Sequence, residues 1–94
     1  MIMPVRIYRG DEPVLDELSR MEEDLVLYIF ATRASVSNRE LISYLWPGHP
    51  NASQNVKTLV SDVRKKCGRD IFITHHSFGY APNLESYRAV VEQD

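Results

Sequence analysis

One cysteine, four glycines and five prolines are all that these 94 residues contain of the usual covalent and conformational punctuation, and each scarcity removes a class of structure. Cys67 has no second cysteine with which to form an internal disulfide. With three histidines it offers no CxxC or HxxxH spacing for a structural zinc, so metal, cofactor and redox roles are not expected. The longest apolar stretches, such as Leu25 to Ala31, stop far short of the roughly 20 residues a membrane helix needs, and no membrane association is expected. Met1 to Pro4 leads directly to Arg6, Arg9 and Asp11 without an apolar core or a small-residue cleavage site. The chain therefore reads as cytoplasmic. A composition of 44% hydrophobic and 26% charged residues, without repeats, excludes collagenous, disordered and solenoid readings and predicts one domain, residues 1–94, with a modest core.

Charge of either sign is also scarce in net terms, at −2, which argues against a generic polyanion binder. Its distribution is uneven. Between Gly10 and Asp24 seven acidic residues (Asp11, Glu12, Asp16, Glu17, Glu22, Glu23, Asp24) face a single Arg20, whereas Gln54 to Arg69 holds Lys57, Arg64, Lys65, Lys66 and Arg69 against Asp62 alone. A bipolar molecule with one locally basic helix follows.

Ile2, Val5, Ile7 and Tyr8 alternate loosely before the turn cluster Arg9-Gly10-Asp11-Glu12-Pro13, predicting a short strand, a turn and a second short strand at Val14-Leu15. Ser19-Arg20-Met21-Glu22 has capping-box spacing and starts a helix near Arg20. Met21, Leu25, Tyr28, Ile29 and Thr32 form its inward face, and it runs out near Arg33. A second such box, Ser37-Asn38-Arg39-Glu40, opens a short helix with Leu41, Ile42, Leu45 and Trp46 inward, stopped by Pro47-Gly48. Ser53 is placed to cap a third helix in which Val56, Leu59, Val60, Val63 and Cys67 make one apolar stripe, with Gly68 as its stop. Ile71 to Thr74 and the approach to Tyr80 read as the arms of a β-hairpin around His75-His76-Ser77-Phe78-Gly79. Asn83 is expected to cap a last helix from Leu84 to about Glu92, with Leu84, Tyr87, Val90 and Val91 at helical spacing.

Three helices followed by a hairpin make the layout of a winged helix-turn-helix. With Val56 at the centre of the buried stripe and an advance of about 100° per residue, Gln54, Thr58, Ser61 and Lys65 fall on the opposite face. Lys57 and Arg64 fall on one flank, and Asn55, Asp62 and Lys66 on the other. Amide and hydroxyl groups suited to base edges thus alternate with cations suited to phosphates.

These segments resemble the OmpR/PhoB-type winged-helix DNA-binding domains of bacterial transcription regulators, including the ToxR-like branch. The resemblance runs from Leu18 to Ala81. It is carried by Val36-Ser37-Asn38-Arg39-Glu40-Leu41, by Leu45-Trp46-Pro47-Gly48, by the helix from Asn55 to Lys66, and by Ile73-Thr74 leading to Phe78-Gly79-Tyr80. With the elements read above, it gives an expected α+β winged helix-turn-helix, with short N-terminal strands over 1–17, three helices and a wing over 18–82, and a short terminal helix over 83–94. It implies a third helix in the major groove and a wing on the adjacent minor groove or backbone, with Arg64 and Lys65 at matching helix positions and Thr74 and Tyr80 at matching wing positions. The pattern differs where Asp62 replaces a common Arg, where His76 replaces the usual wing Arg, and where Ser77 replaces a wing Gly.

Taken together, the expected function is a small sequence-specific double-stranded DNA-binding transcription regulator. Its implied partners are duplex DNA and, as a protein contact, RNA polymerase or another regulator; a monomer or weak dimer would pair head-to-tail on repeated sites. Asp62, His76 and the acidic Asp11 to Asp24 segment keep an alternative open, a winged-helix protein-interaction module with weakened or lost DNA binding. The sequence holds no catalytic constellation and no Gly-rich phosphate loop, so an enzyme is not expected. Lys65 and Lys66 favour the helix macrodipole without any ligand, Trp46 and Cys67 read as packed side chains, and His75 and His76 fall on opposite strand faces, which disfavours joint metal ligation.

Overall fold

Ser19 and Ser37 start their helices by the same local chemistry, but the glutamates that follow them find different partners. In the computed structural model, which describes residues 5–49, 52–75 and 79–91, Ser19 caps α1 (Arg20–Thr32). Its Oγ accepts from Glu22 N at 3.3 Å, and Glu22 Oε1 accepts in return from Ser19 N at 2.8 Å, a complete capping box. Ser37 caps α2 (Asn38–Leu45) by accepting from Glu40 N at 3.0 Å. The Glu40 carboxylate turns away instead and accepts from Tyr28 OH at 2.6 Å, which links α2 to α1.

The third helix, α3 (Ser53–Cys67), starts without the expected hydroxyl cap. Ser53 is already helical, and the preceding Ala52 is buried, with its carbonyl accepting from Val56 N. An apolar anchor, rather than a polar cap, fixes where this helix begins. Its end is as expected: Gly68 closes α3 at φ 132°, where any Cβ would collide with the hydroxyl of Tyr87.

Strand β1 (Val5–Arg9) turns through Gly10, at φ 62°, into β2 (Glu12–Pro13). The second strand thus precedes its expected position by two residues, and Val14 only extends the pairing through its N–H to Ile7 O. A second sheet contains β3 (Val36–Ser37), β4 (Phe72–His75) and β5 (Gly79–Pro82) in the antiparallel order β3-β5-β4, with Thr74 opposite Tyr80 and Val36 opposite that same Tyr80. The expected hairpin is therefore present as β4 and β5, while His76, Ser77 and Phe78 lie outside the described residues.

The terminal helix expected from Leu84 is absent among the described residues. Asn83 does cap, with Oδ1 accepting from Glu85 N and Ser86 N, but only a single turn follows. The chain then extends as β6 (Arg88–Val91), antiparallel to β1 with Val5 opposite Val91 and Ile7 opposite Ala89. The spacing of Leu84, Tyr87, Val90 and Val91 fits a helix, but β-branched Val90 and Val91 favour extended backbone and β1 supplies an unpaired edge, so the tertiary partner decides. Residues 5–13 and 88–91 consequently form one sheet, β2-β1-β6, rather than separate appendages.

The described residues make a small α+β fold with three helices and two three-stranded antiparallel sheets. Leu25, Val26, Ile29 and Phe30 of α1 pack with Leu41 of α2 and with Val56, Val60 and Val63 of α3. Relative to expectation the buried face of α1 is rotated: Met21 and Thr32 are exposed, Tyr28 is half-buried, and the inward position in the first turn belongs to Glu22.

Candidate nucleic-acid interface

The solvent side of α3 is polar along its whole length. Gln54, Asn55, Lys57, Thr58, Ser61 and Lys65 are exposed, while Asp62 and Arg64 are half-buried on its flanks. Four turns of helix thus carry amides, hydroxyls and lysines outward, while Val56, Val60, Val63 and Cys67 hold the opposite side in the core.

Arg64 joins this helix to the hairpin. Its Nη2 donates to Phe72 O at 3.1 Å and to Thr74 Oγ1 at 2.8 Å, and its guanidinium stands 5.6 Å above the ring centre of Tyr80. The Nε is buried without a hydrogen-bond partner among the described residues. A planar cation with several fixed donors suits this role, because it satisfies two strand groups and stacks on an aromatic at once. These contacts tie the end of α3 directly to β4. Thr74, expected at the surface, is exposed with its hydroxyl committed to Arg64; Tyr80 is buried at 8% exposure, packed on Phe72 and beneath Arg64. His75 is exposed on β4, and His76 lies outside the described residues.

On the other flank Lys66 is exposed but paired across to α1. Its Nζ donates to Glu22 Oε1 at 2.7 Å, across from the start of α1. Burial pushes the Glu22 carboxyl up, but the hydrogen bonds from Lys66 and Ser19 outweigh it and hold it below its ordinary value. The hydrogen bond from Lys66 to Glu22 raises the lysine in turn. Asp62 adds to the negative field at Lys66. Among the described residues, the exposed cations of α3 outside an ion pair are therefore Lys57 and Lys65, while exposed Lys66 is paired with Glu22 and Arg64 is shared with the hairpin.

No family model and no curated protein matches the chain. Among the described residues no three His, Cys, Asp or Glu side chains converge as metal ligands, and no helix is long and apolar enough to cross a membrane. Cys67 donates to Val14 O at 3.1 Å, and burial pushes its thiol up to about 11, the opposite of an activated nucleophile.

Sequence periodicity located the outer face of α3 correctly but did not reveal how much of its charge is spoken for. Lys66 and Glu22 are 44 positions apart, and nothing local pairs them. The flank assignment of Arg64 beside Lys57 was the available signal for a contact with the hairpin. Tyr87, expected in the terminal helix, is instead buried ahead of β6, and its hydroxyl donates to Asp70 Oδ1 at 2.7 Å and to Cys67 O at 3.2 Å.

Proposed function

We propose that this chain is a winged-helix module of the OmpR/PhoB type that binds double-stranded DNA and regulates transcription in the cytoplasm. The observation that carries the reading is the tether of Arg64 to Phe72 and Thr74, which sets a hairpin rigidly beside an unbroken polar helix face. A helix of this width fits the major groove. Gln54, Asn55, Thr58 and Ser61 then meet base edges, Lys57 and Lys65 meet phosphates, and the hairpin lies on the adjacent backbone or minor groove. The order helix, helix, helix, hairpin and the short β3 strand paired to β5 support the same reading.

Because Lys66 serves Glu22 and Arg64 serves the hairpin, few phosphates are neutralised. The affinity for duplex should fall with salt on a log-log slope corresponding to about three phosphates. Titration of labelled genomic fragments, followed by selection from random duplexes, tests this. Absence of binding at low salt across all fragments refutes it and favours a module that binds protein, a reading supported by the same engagement of Lys66 and Arg64 within the fold.

A further inference from the structure

The first turns of α3 carry three polar side chains that the fold leaves unused. Gln54, Asn55 and Thr58 are exposed, and none of them makes a side-chain hydrogen bond among the described residues. At about 100° per residue Gln54 and Thr58 lie about 40° apart around the helix, and Asn55 and Thr58 about 60° apart. The three form a triangle one turn tall, about 6 Å along the axis. A base-pair step rises about 3.4 Å, so the triangle spans about two to three steps.

The cations of α3 that could read guanine are placed elsewhere. Arg64 is the only arginine of this helix. Both donor forks of a guanidinium, end-on and side-on, include Nη2, and Nη2 of Arg64 already donates to Phe72 O and Thr74 Oγ1. Its Nε is buried as well. What remains is a charge suited to a phosphate rather than a fork suited to O6 and N7 of guanine. Lys66 is held by Glu22. Lys65 lies in the last turn, about 10 Å along the axis beyond Thr58, and Lys57 lies on the flank of Arg64, toward the hairpin.

Amides and hydroxyls select differently from cations. A carboxamide offers one acceptor and one donor side by side, which match N6–H and N7 of adenine; guanine presents two acceptors, O6 and N7, and cannot reproduce that pairing. The methyl group of a threonine packs against the C5 methyl of thymine.

We propose that the part of the target met by the first turns of α3 is a run of about two to three A·T pairs, with adenine read by Gln54 and Asn55 and a thymine methyl by Thr58. This rests on the duplex-binding reading of α3 and adds to it the base class that the helix selects.

Selection from random duplex DNA with the full 94-residue chain, followed by titration of the recovered site, tests it. Exchanging an A·T pair of the core for G·C should weaken binding about tenfold. Replacing the recovered adenine by 7-deazaadenine, which lacks the N7 acceptor, should weaken it about fivefold in the parent chain and not in the alanine variant of the residue that reads it. Gln54→Ala and Asn55→Ala should each reduce the discrimination against G·C about tenfold at one step, with the circular dichroism of the parent. Gln54→Arg should turn the preference at its step to guanine. A recovered site with no A·T pair at the steps that respond to Gln54 and Asn55 overturns the inference. An A·T preference that persists when both are alanine overturns it as well, since the preference then comes from the shape of the duplex. In both cases duplex is still bound and the DNA-binding proposal stands. No binding to any duplex at low salt refutes that proposal itself, and the inference with it.

Discussion

Lys66 Nζ and Ser19 N converge on the same carboxylate oxygen, Oε1 of Glu22, at 2.7 and 2.8 Å. One buried acid thereby completes the cap of α1 and receives the end of α3, so two helices distant in sequence share a single electrostatic joint. Removing the acid and removing its cation have different consequences. Glu22→Gln keeps an acceptor for Ser19 and should cost about 1 kcal/mol in urea unfolding. Lys66→Met leaves the carboxylate buried without its cation and should lower the urea midpoint further.

The same joint sets an acid dependence. The folded-state carboxyl of Glu22 lies below its ordinary value of 4.5. Its contribution is therefore complete above 4.5 and is lost as pH falls through the lower folded-state value. Thermal midpoints measured across the acid range should decline less steeply in Glu22→Gln than in the parent chain.

Arg64 should prove to be as much a structural residue as a contact. Arg64→Lys removes the fork to Phe72 O and Thr74 Oγ1 and is expected to destabilise the fold by about 1–2 kcal/mol. A double-mutant cycle with Thr74→Ala should return a coupling of about 0.5–1.5 kcal/mol. Additivity within error would show that the two side chains do not act together.

Tyr87 carries a prediction at the opposite end of the pH scale. Burial and then the hydrogen bond to Asp70 push its phenol up to about 12, so the folded protein holds this proton more tightly than the unfolded chain. Stability from this group is complete below the ordinary tyrosine value of 10.0 and is lost as pH rises from there toward 12. Tyr87→Phe should abolish that alkaline component and cost about 1–2 kcal/mol at neutral pH, read by denaturant titration.

Asp62 discriminates how α3 meets DNA. If its carboxylate lies beside a phosphate, Asp62→Arg should tighten binding to every duplex by about 1 kcal/mol and steepen the salt slope by about one. If it accepts from a cytosine amino group, the substitution should cost about 1–3 kcal/mol at one preferred base pair and little elsewhere. An affinity unmoved in both respects speaks for the protein-binding alternative.

Local chemistry written in short spans was readable without coordinates. Both Ser-x-x-Glu starts, the Gly68 stop, the apolar stripe of α3 and the two arms of the hairpin each depend on residues within a few positions of one another. Apart from the Ser53 cap and the two-residue offset of β2, what failed depended on partners far along the chain. The segment after Asn83 has helical spacing and strand-forming valines in equal measure, and only the unpaired edge of β1 decides between them. Burial of Glu22 is equally invisible locally, because an acid in a capping box is normally solvated and its need for Lys66 arises only when α1 and α3 pack. The candidate interface was legible as a face, whereas its usable charge was not.

The pairing of β1 with β6 also fixes how the molecule would respond to force. Val5 begins one strand and Val91 ends the other, and the antiparallel register sets them side by side. Tension applied through these two residues pulls perpendicular to the strands and loads the ladder one hydrogen bond at a time, as a zipper opens, rather than shearing all of them together. Sheet β2-β1-β6 should therefore yield first and at low force, with β6 peeling away back to Tyr87. There the hydroxyl anchored to Asp70 and Cys67 becomes the first mechanical stop, so the helices and the hairpin stay assembled after their neighbouring sheet has opened.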